Sequence, residues 1–461
     1  MSAVTVVDPT TEQEVATYPE HGPEQIEAAL TAADAAYRDW RRRPVAERAE
    51  LLVAVAAVLR ERAEELARLV VSEMGKPLAE ARFEIEKSAS ALEYFAEAGP
   101  AMLADTEVDA GAGRHVVTYE PIGVIFAVMP WNFPFWQVIR FAGPALLAGN
   151  AALLKHAPNV SGTALALEDA FTAAGAPAGL FTSLIVGSER VPEVSAQLIA
   201  DPRVAAVTLT GSERAGAFVA AEAGKALKKS VLELGGSDPF VVLADADLDL
   251  AVQHAVTGRL MTAGQTCIAP KRFLVDASVV DTFQTKLVAA LEAVKIGDPT
   301  EDGTQLGPLA RLDILENLER QVEATVAEGA ELKTGGQRLD RPGFFFAPTV
   351  LAGVKPGMTA FTEETFGPVV AITPFETEDE AVELANDTRY GLGATVWSTD
   401  TERAETVARR IESGLVSVNA LVASDPRLPF GGIKRSGYGR ELASVGMHEF
   451  TNIRTFKVAG V

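Results

Sequence analysis

The segment IGVIFAVMPWNFPFWQVIRFAGPALLAGNAALLK, residues 122–155, decides the fold. Its apolar runs alternate between strand length and helix length, and the alternation continues as far as residue 209. The predicted strands span 122–129, 151–155, 181–186 and 204–209, and the predicted helices span 133–147, 163–174 and 191–199. Strands that alternate with helices through short connections favour a doubly wound parallel sheet, in which ligands bind at the carboxyl ends of the strands.

A second alternating region covers residues 239–418, so we predict two α/β domains with a site in the cleft between them. Helical patterns also run over residues 23–40, 44–75 and about 78–98, and we interpret all three as scaffold. Residues 103–121 favour a hairpin, which is either a surface hairpin or an arm that pairs with another subunit.

The composition limits the classes of partner. The 461 residues include 63 acidic and 41 basic side chains, which gives a net charge of −22. Nucleic acids and anionic membranes bind basic patches, so neither is a predicted partner. A single cysteine argues against an internal disulfide framework and favours a reducing compartment. Residues 1–9 lack a signal-peptide pattern, and no apolar run approaches the roughly 20 residues that cross a bilayer. We therefore expect a cytoplasmic protein.

The only cysteine, Cys267, lies in the stretch GQTCIAPKR, residues 264–272, after a helical run. A lone cysteine is commonly a small buried hydrophobic residue. Here the Gly, Gln, Thr and Pro neighbours favour the end of an element that faces a cleft. A thiolate in such a position could act as a nucleophile.

Two polar motifs follow predicted strands in the first α/β region. In PWNFP, residues 130–134, the Asn132 side chain offers the N–H donors that an oxyanion hole needs, although an Asn before a helix is commonly a cap. In LTGS, residues 209–212, backbone N–H groups at a helix start can bind phosphate; the alternative is a simple turn with a cap. The sequence lacks the dinucleotide pattern G-x-G-x-x-G at this point.

Two carboxylates stand in unusual surroundings. Glu233 lies inside the apolar run VLELGG, residues 231–236, where burial would raise its pKa and make it a usable general base. The alternative is an edge-strand Glu that faces water. Glu364 lies in TEETFGP, residues 362–368, where it could hold a ribose beside the ring of Phe366; the alternative is a charged turn before a strand.

In order and spacing, these motifs, Cys267 and the closing segment PFGGIKRSG, residues 429–437, resemble the aldehyde dehydrogenase superfamily. Cys267 follows Glu233 by 34 residues, and Glu364 follows Cys267 by 97. The resemblance covers essentially the whole chain and implies an α/β fold that assembles as a homodimer or homotetramer. The implied parts are a Rossmann-like cofactor domain over 1–102 and 122–234, a catalytic domain over 235–432, and an oligomerisation arm over 103–121 and 447–461.

The resemblance also implies a chemical role for three residues. Cys267 would attack an aldehyde to form a thiohemiacetal, which becomes a thioester after hydride transfer to a nicotinamide. Asn132 and the backbone N–H of Cys267 would hold the oxyanion. Glu233 would activate the water that hydrolyses the thioester. The resemblance implies no metal.

The implied cofactor is NADP or NAD. The residues that the resemblance assigns to it are Trp131, Lys155, His156, Gly211, Ser212, Gly235, Glu364 and Phe366. NAD-preferring relatives often carry a Glu three residues after the lysine that matches Lys155, and here that position is Pro158. No carboxylate there repels a 2′-phosphate, and Lys155 or His156 could attract one, so we expect NADP to be accepted, with a preference for NADP over NAD left open. His156 is otherwise an exposed loop histidine.

The substrate prediction depends on Arg140, eight residues after Asn132 on the helix that lines the family's substrate pocket. An Arg on a mostly apolar helix needs an anionic partner, either a substrate carboxylate or an acidic loop residue of the chain itself. The loop VASDPR, residues 422–427, resembles the succinate-semialdehyde branch of the family, in which Ser424 would help to hold the distal carboxylate close to Phe430.

We therefore expect oxidation of succinate semialdehyde to succinate. A longer semialdehyde or a general aliphatic aldehyde is the alternative substrate. A non-catalytic protein that reuses the fold is the alternative of another class.

Overall fold

The computed structural model describes residues 2–459 and contains four sheets surrounded by helices. The strands are β1 Ala3–Val7, β2 Glu14–Pro19, β3 Thr106–Glu107, β4 Arg114–Pro121, β5 Val124–Met129, β6 Ala151–His156, β7 Phe181–Ser183, β8 Val204–Thr210, β9 Lys229–Glu233, β10 Asp238–Val242, β11 Pro270–Asp276, β12 Glu331–Thr334, β13 Thr349–Ala352, β14 Val369–Phe375, β15 Gly393–Trp397, β16 Leu415–Val418, β17 Gly437–Tyr438 and β18 Thr451–Val458. The helices are α1 Pro23–Trp40, α2 Val45–Glu61, α3 Ala63–Met74, α4 Leu78–Met102, α5 Trp136–Ala148, α6 Ser161–Ala173, α7 Val191–Ala200, α8 Glu213–Lys225, α9 Leu248–Leu260, α10 Val280–Glu292, α11 Leu312–Ala327, α12 Thr359–Thr362, α13 Glu378–Asn386, α14 Thr401–Ala408 and α15 Ala443–His448.

The first large sheet has six strands in the order β17-β9-β8-β5-β6-β7. Strands β5 to β9 are parallel, and only the short β17 is antiparallel. The central strands β5 and β6 are almost entirely buried because helices cover both faces, which explains their continuous apolar sequences. This is the doubly wound arrangement that the strand–helix alternation predicts.

The second large sheet has seven strands in the order β12-β13-β14-β11-β10-β15-β16, of which only β12 is antiparallel. Each large sheet has its own hydrophobic core. Strand β9 ends at Glu233 and β10 begins at Asp238, so the chain passes from the carboxyl edge of the first sheet to the amino edge of the second within a few residues. Polar side chains at these two edges can therefore face one another.

A three-stranded antiparallel sheet of order β18-β4-β3 contains the expected hairpin. Strand β18 pairs with β4 over its whole length, from the Thr451–Pro121 pair to the Val458–Arg114 pair. The domain and arm boundaries stay a prediction, and the last two residues of the expected arm, with residue 1 of the cofactor domain, lie outside the described residues.

The helical pattern over residues 44–75 forms two helices rather than one. The chain changes direction at Arg62, where φ is −99° and ψ is 12° between α2 and α3. Leu59 and Leu66, on either side of this bend, are both fully buried. The apolar periodicity continues through the bend, so the sequence pattern alone does not show that the helix is divided.

Candidate active site

Cys267 follows a tight, strained turn between α9 and β11. Thr262 and Ala263 have positive φ values of 52° and 54°, a backbone conformation that residues with a Cβ rarely adopt. Gly264 also has positive φ, and a Cβ at this position would come within 2.4 Å of the Gly367 carbonyl group. A hydrogen bond of 2.8 Å from the Thr262 N–H to Glu80 Oε2 holds the turn in place. Its geometry directs the Cys267 loop into the cleft.

A buried lysine fixes the other side of this loop. Lys271 has no solvent exposure, and its Nζ donates to the carbonyl oxygens of Thr266 at 3.2 Å, Cys267 at 2.8 Å and Ala269 at 3.3 Å. The same Nζ lies 3.4 Å from Glu364 Oε1. Three carbonyl groups converge on one cation, so the backbone around the thiol has little freedom.

The Cys267 side chain is partly exposed to an internal cavity. Burial by the surrounding wall raises the pKa of the thiol to about 12, and the positive charges of Arg140 and Lys271 oppose this rise only in part. The thiol is therefore protonated at neutral pH, and it must lose a proton before it can attack an electrophile.

Asn132 lies just beyond β5 and faces the cysteine loop. Its Nδ2 donates to the carbonyl oxygen of Gln265 at 2.9 Å, two residues before Cys267. Its Oδ1 is buried without a hydrogen-bond partner in the described part of the chain. The side chain thus contacts the backbone of the cysteine loop rather than capping a helix, because α5 begins only at Trp136.

Glu233 ends β9, a strand that is paired on both sides by β8 and β17. The residue is only 3% exposed, so the structure excludes the water-facing alternative. Both carboxylate oxygens lack a hydrogen-bond partner within residues 2–459. Burial, followed by the negative charge of Glu441, raises the pKa of Glu233 well above its ordinary value. Such a carboxyl group can serve as a base once it has lost its proton.

Cys267 opens onto a cavity of about 640 Å³ between α4, α5 and the loop around Ser424. The lining is mostly apolar, and its charged residues are Glu80, Glu84, Glu86, Lys87 and Arg140. The expected substrate residues Arg140, Ser424 and Phe430 all lie in its wall. The structure therefore brings the thiol and these three side chains together.

Arg140 has an anionic partner within the chain, so burial of its charge does not by itself require a substrate carboxylate, and its substrate role stays a prediction. Its guanidinium forms an ion pair with Glu441, and both side chains are buried. It also lies over the Phe430 ring, with Cζ 4.4 Å from the ring centroid. The alternative, in which an acidic residue of the chain offsets Arg140, is the arrangement that the structure contains.

Helix α4 contributes to the site, although its sequence indicates only scaffold. Glu84 Oε1 accepts hydrogen bonds from the N–H groups of Phe135 at 2.8 Å and Trp136 at 3.0 Å, and so caps the start of α5. Glu84 also forms a buried ion pair with Lys76. One turn further along α4, Lys87 Nζ donates to Ser424 Oγ at 2.7 Å. No sequence signal separates Glu84 and Lys87 from the solvated charges of the same helix.

The residues expected at a cofactor line the carboxyl edge of the first sheet. Trp131 and Phe366 form an edge-to-face pair with ring centroids 5.8 Å apart. Glu364 Oε1 accepts from the Gly236 N–H at 3.0 Å, and a Cβ on Gly235 would lie 2.3 Å from Glu364 Oε2. The glycine therefore permits the carboxylate to approach the backbone.

Two more of these residues have clear local roles. Gly211 donates its N–H to the carbonyl oxygen of Glu233 at 2.9 Å, and its missing side chain leaves open space just before the start of α8. Ser212 Oγ accepts from the Ala215 N–H at 3.3 Å and so acts as the cap of α8. The helix start remains available to an anion, because capping uses only one of its free N–H groups.

Lys155, the residue before the last in β6, is a buried cation. No carboxylate within the described chain offsets its charge, and burial, together with the positive charge of Arg311, lowers the pKa of Lys155 to about 8. A buried cation without a partner is costly, so this site favours an anionic or hydroxyl-rich ligand.

The expectation for His156 requires correction. The side chain is buried rather than exposed: Nε2 lies 2.9 Å from the carbonyl oxygen of Pro134, and Nδ1 accepts from the Ala157 N–H at 3.0 Å. Burial lowers the pKa of His156 to about 4, so the ring is neutral at pH 7. A neutral ring whose two nitrogens are occupied supplies no charge to a 2′-phosphate.

No helix in residues 2–459 has both the length and the apolar character needed to cross a membrane. No group of three or more His, Cys, Asp or Glu side chains in the same range has the arrangement of a metal site.

The chain was compared with known proteins. The profile of the Aldehyde dehydrogenase family matches residues 1–456. A succinate semialdehyde dehydrogenase that uses NAD(P)+, from Escherichia coli strain K12, is 49% identical, with 97% of this chain and 96% of the relative aligned. A probable NADP-dependent succinate-semialdehyde dehydrogenase from Synechocystis is 47% identical over 99% of this chain and 100% of its own. The crystal structure of a succinic semialdehyde dehydrogenase from Streptococcus pyogenes in complex with NADP+ superimposes with a TM-score of 0.96 at 38% identity, covering 99% of this chain and 100% of that one.

Proposed function

The chain belongs to the aldehyde dehydrogenase family, and from this premise we propose that it oxidises succinate semialdehyde to succinate with NADP or NAD. One observation carries the proposal: Cys267 lines the same largely apolar cavity as Arg140, Lys87 and Ser424. A four-carbon aldehyde with a distal carboxylate has a reactive end and a charged end that match these two features. The relatives named above support the same substrate.

Cys267, Asn132 and Glu233 carry the chemical steps. The Cys267 thiolate attacks the aldehyde carbon, and the carbonyl oxygen becomes an oxyanion held by the Asn132 amide and the Cys267 N–H. When bound, the nicotinamide cofactor accepts the hydride that leaves this carbon. Glu233 then removes a proton from water, the hydroxide attacks the thioester, and the thiolate leaves as the acid is released.

The cofactor fits the residues at the first sheet. Lys155 is a buried cation that no carboxylate of the described chain offsets, which suits the hydroxyl and phosphate groups near an adenosine. Trp131 and Phe366 offer a flat apolar surface, and Glu364 an acceptor for a ribose hydroxyl. Pro158 in place of an acidic residue leaves room for a 2′-phosphate without repulsion.

We also propose that the chain forms a homo-oligomer through β18, in a cytoplasmic setting that keeps Cys267 reduced. Strand β18 is an edge strand whose Ile453, Phe456 and Val458 side chains are about half exposed or more. Such an apolar edge favours cover by another chain. Light scattering after size exclusion measures the assembly, and a monomer would refute this part.

The test of the main proposal is steady-state kinetics with succinate semialdehyde and pentanal, an uncharged aldehyde of similar length, each with NADP and with NAD. We expect kcat/KM to be at least tenfold higher for succinate semialdehyde, with turnover supported by NADP. Cys267→Ala serves as the inactive control for both aldehydes. Equal kcat/KM values for the two aldehydes would reject the proposed substrate and leave a general aldehyde dehydrogenase.

A further inference from the structure

A buried lysine contacts both peptide units that flank the nucleophile. Lys271 Nζ donates to the carbonyl oxygens of Thr266 at 3.2 Å and Cys267 at 2.8 Å. The Thr266 carbonyl belongs to the same peptide unit as the Cys267 N–H, which is the proposed oxyanion donor. In a trans peptide the C=O and N–H bonds point in opposite directions. The direction in which Lys271 holds the Thr266 oxygen therefore fixes the direction of the Cys267 N–H.

The ammonium group is shared among several oxygen atoms. Lys271 is fully buried, and burial lowers its pKa. Besides Thr266 and Cys267, its acceptors are the carbonyl oxygen of Ala269 at 3.3 Å and Glu364 Oε1 at 3.4 Å. An ammonium group has three protons, so all of them are directed at these four oxygens. A charge-assisted hydrogen bond polarises the carbonyl group that accepts it, and a polarised peptide unit has a stronger N–H donor.

Lys271 is the buried cation that holds the cysteine loop. Two further buried cations, Arg259 and Arg272, donate to backbone carbonyl groups outside this loop. Two carboxylates attract Lys271: Glu364, and Asp238, whose pKa burial raises to about 6 against the attraction of the lysine. Neutralising these carboxylates would not require contacts with three carbonyl groups. The carbonyl contacts therefore indicate a second role, in the geometry of the loop.

We infer that Lys271 is a positioning residue of the reaction: it orients and polarises the peptide unit whose N–H stabilises the oxyanion. The inference rests on the proposed function, in which Cys267 attacks an aldehyde. In that step the bond from sulfur to the carbonyl carbon forms, and the π electrons of the C=O bond move to the oxygen. The negative oxygen then faces the Cys267 N–H and the Asn132 amide. Lys271 keeps its protons throughout and acts through the peptide unit that it holds.

The test separates the oxyanion from the thiolate. Like Arg140, Lys271 opposes the rise in the pKa of the Cys267 thiol, whereas Glu364 and Asp238 add to it, so removal of the lysine charge slows every reaction of the thiolate. Alkylation by iodoacetamide measures that effect by itself, because displacement of iodide forms no oxyanion. NADPH formation in a single turnover, with succinate semialdehyde or pentanal under saturating NADP, requires both the thiolate and the oxyanion.

In Lys271→Met, the rate of NADPH formation should fall by at least about tenfold more than the rate of alkylation at the same pH, because loss of an oxyanion donor slows catalysis by about 10²–10³. The excess loss should be smaller in Lys271→Gln, which keeps a donor, and smallest in Lys271→Arg, which also keeps the charge. The matched control is Lys228→Met. Lys228 likewise donates to two backbone carbonyl groups, but it lies at the opposite end of β9 from Glu233, so its loss should leave the ratio of the two rates unchanged.

Equal losses in NADPH formation and alkylation, or no loss in either, would overturn the inference and leave Lys271 as a neutralising charge only. If Lys271→Met does not fold, the same comparison in Lys271→Gln and Lys271→Arg decides the question. Both aldehydes should show the same excess loss, because the oxyanion forms on either one. A wild-type enzyme without preference for succinate semialdehyde would reject the proposed substrate, and the comparison with pentanal would still test Lys271.

Discussion

Removing the positive charge of Arg140 tests the ion pair that the structure places behind the substrate cavity. Arg140→Met keeps an apolar side chain of similar length and leaves the carboxylate of Glu441 without its partner. The two side chains are 2% and 5% exposed, so water replaces little of the lost interaction. Arg140→Met should therefore lower the stability of the protein and alter the electrostatic environment of Glu233. It should reduce the activity toward charged and uncharged aldehydes alike.

The size of the stability effect follows from this burial. Breaking a buried ion pair by removal of one partner costs about 3–5 kcal/mol. A chain of this length has an unfolding entropy of about 1 kcal/mol/K near its midpoint, so Tm should fall by about 3–5 °C. The double variant Arg140→Met with Glu441→Gln removes both charges and should regain most of the loss.

The fall in Tm of Arg140→Met should depend on pH. Burial raises the pKa of Glu441, and Arg140 is the first charge that opposes the rise. In Arg140→Met the folded-state pKa of Glu441 is higher still, so its stabilising contribution is complete below about pH 4.5 and is lost as pH rises through the raised pKa. The Tm deficit should therefore be smaller at pH 5 than at pH 8.

Thermal melts at both pH values, with kcat/KM for succinate semialdehyde and pentanal, measure these effects. We expect both substrates to lose activity by similar factors, because the unpaired Glu441 charge acts on Glu233, which serves either substrate. An unchanged Tm combined with a loss confined to succinate semialdehyde would refute the reasoning and support the carboxylate-binding role of Arg140.

Two further predictions concern single residues. Glu233→Gln should release about one equivalent of reduced cofactor per site in a rapid-mixing burst and then turn over at least about 100-fold more slowly, because thioester hydrolysis lacks its base; a linear trace would contradict this. His156→Ala should lower Tm through the lost Pro134 contact and leave the NADP-to-NAD ratio of kcat/KM within about twofold, whereas a shift toward NAD would restore a role in phosphate binding.

Much of the fold and part of the site follow from local sequence. The alternation of apolar runs from residue 122 predicts the parallel sheet, since fully buried strands need continuous apolar segments. The family assignment is confirmed by a profile match over residues 1–456. Asn132, Glu233 and Cys267 could be selected because each stands in an unusual local setting at the end of an element. Their catalytic roles stay predictions.

The charge pattern of the cavity could not be predicted in the same way. Arg140 and its partner Glu441 are about 300 residues apart, and Lys87 meets Ser424 across 337 residues. His156 is neutral because the chain folds the Pro134 carbonyl against its ring. The sequence by itself determined the elements, their order and the reactive side chains, because these depend on periodicity and on neighbouring residues. Only the tertiary structure decided which buried charges are neutralised and which are left for a ligand, because burial and pairing depend on groups that meet only after folding.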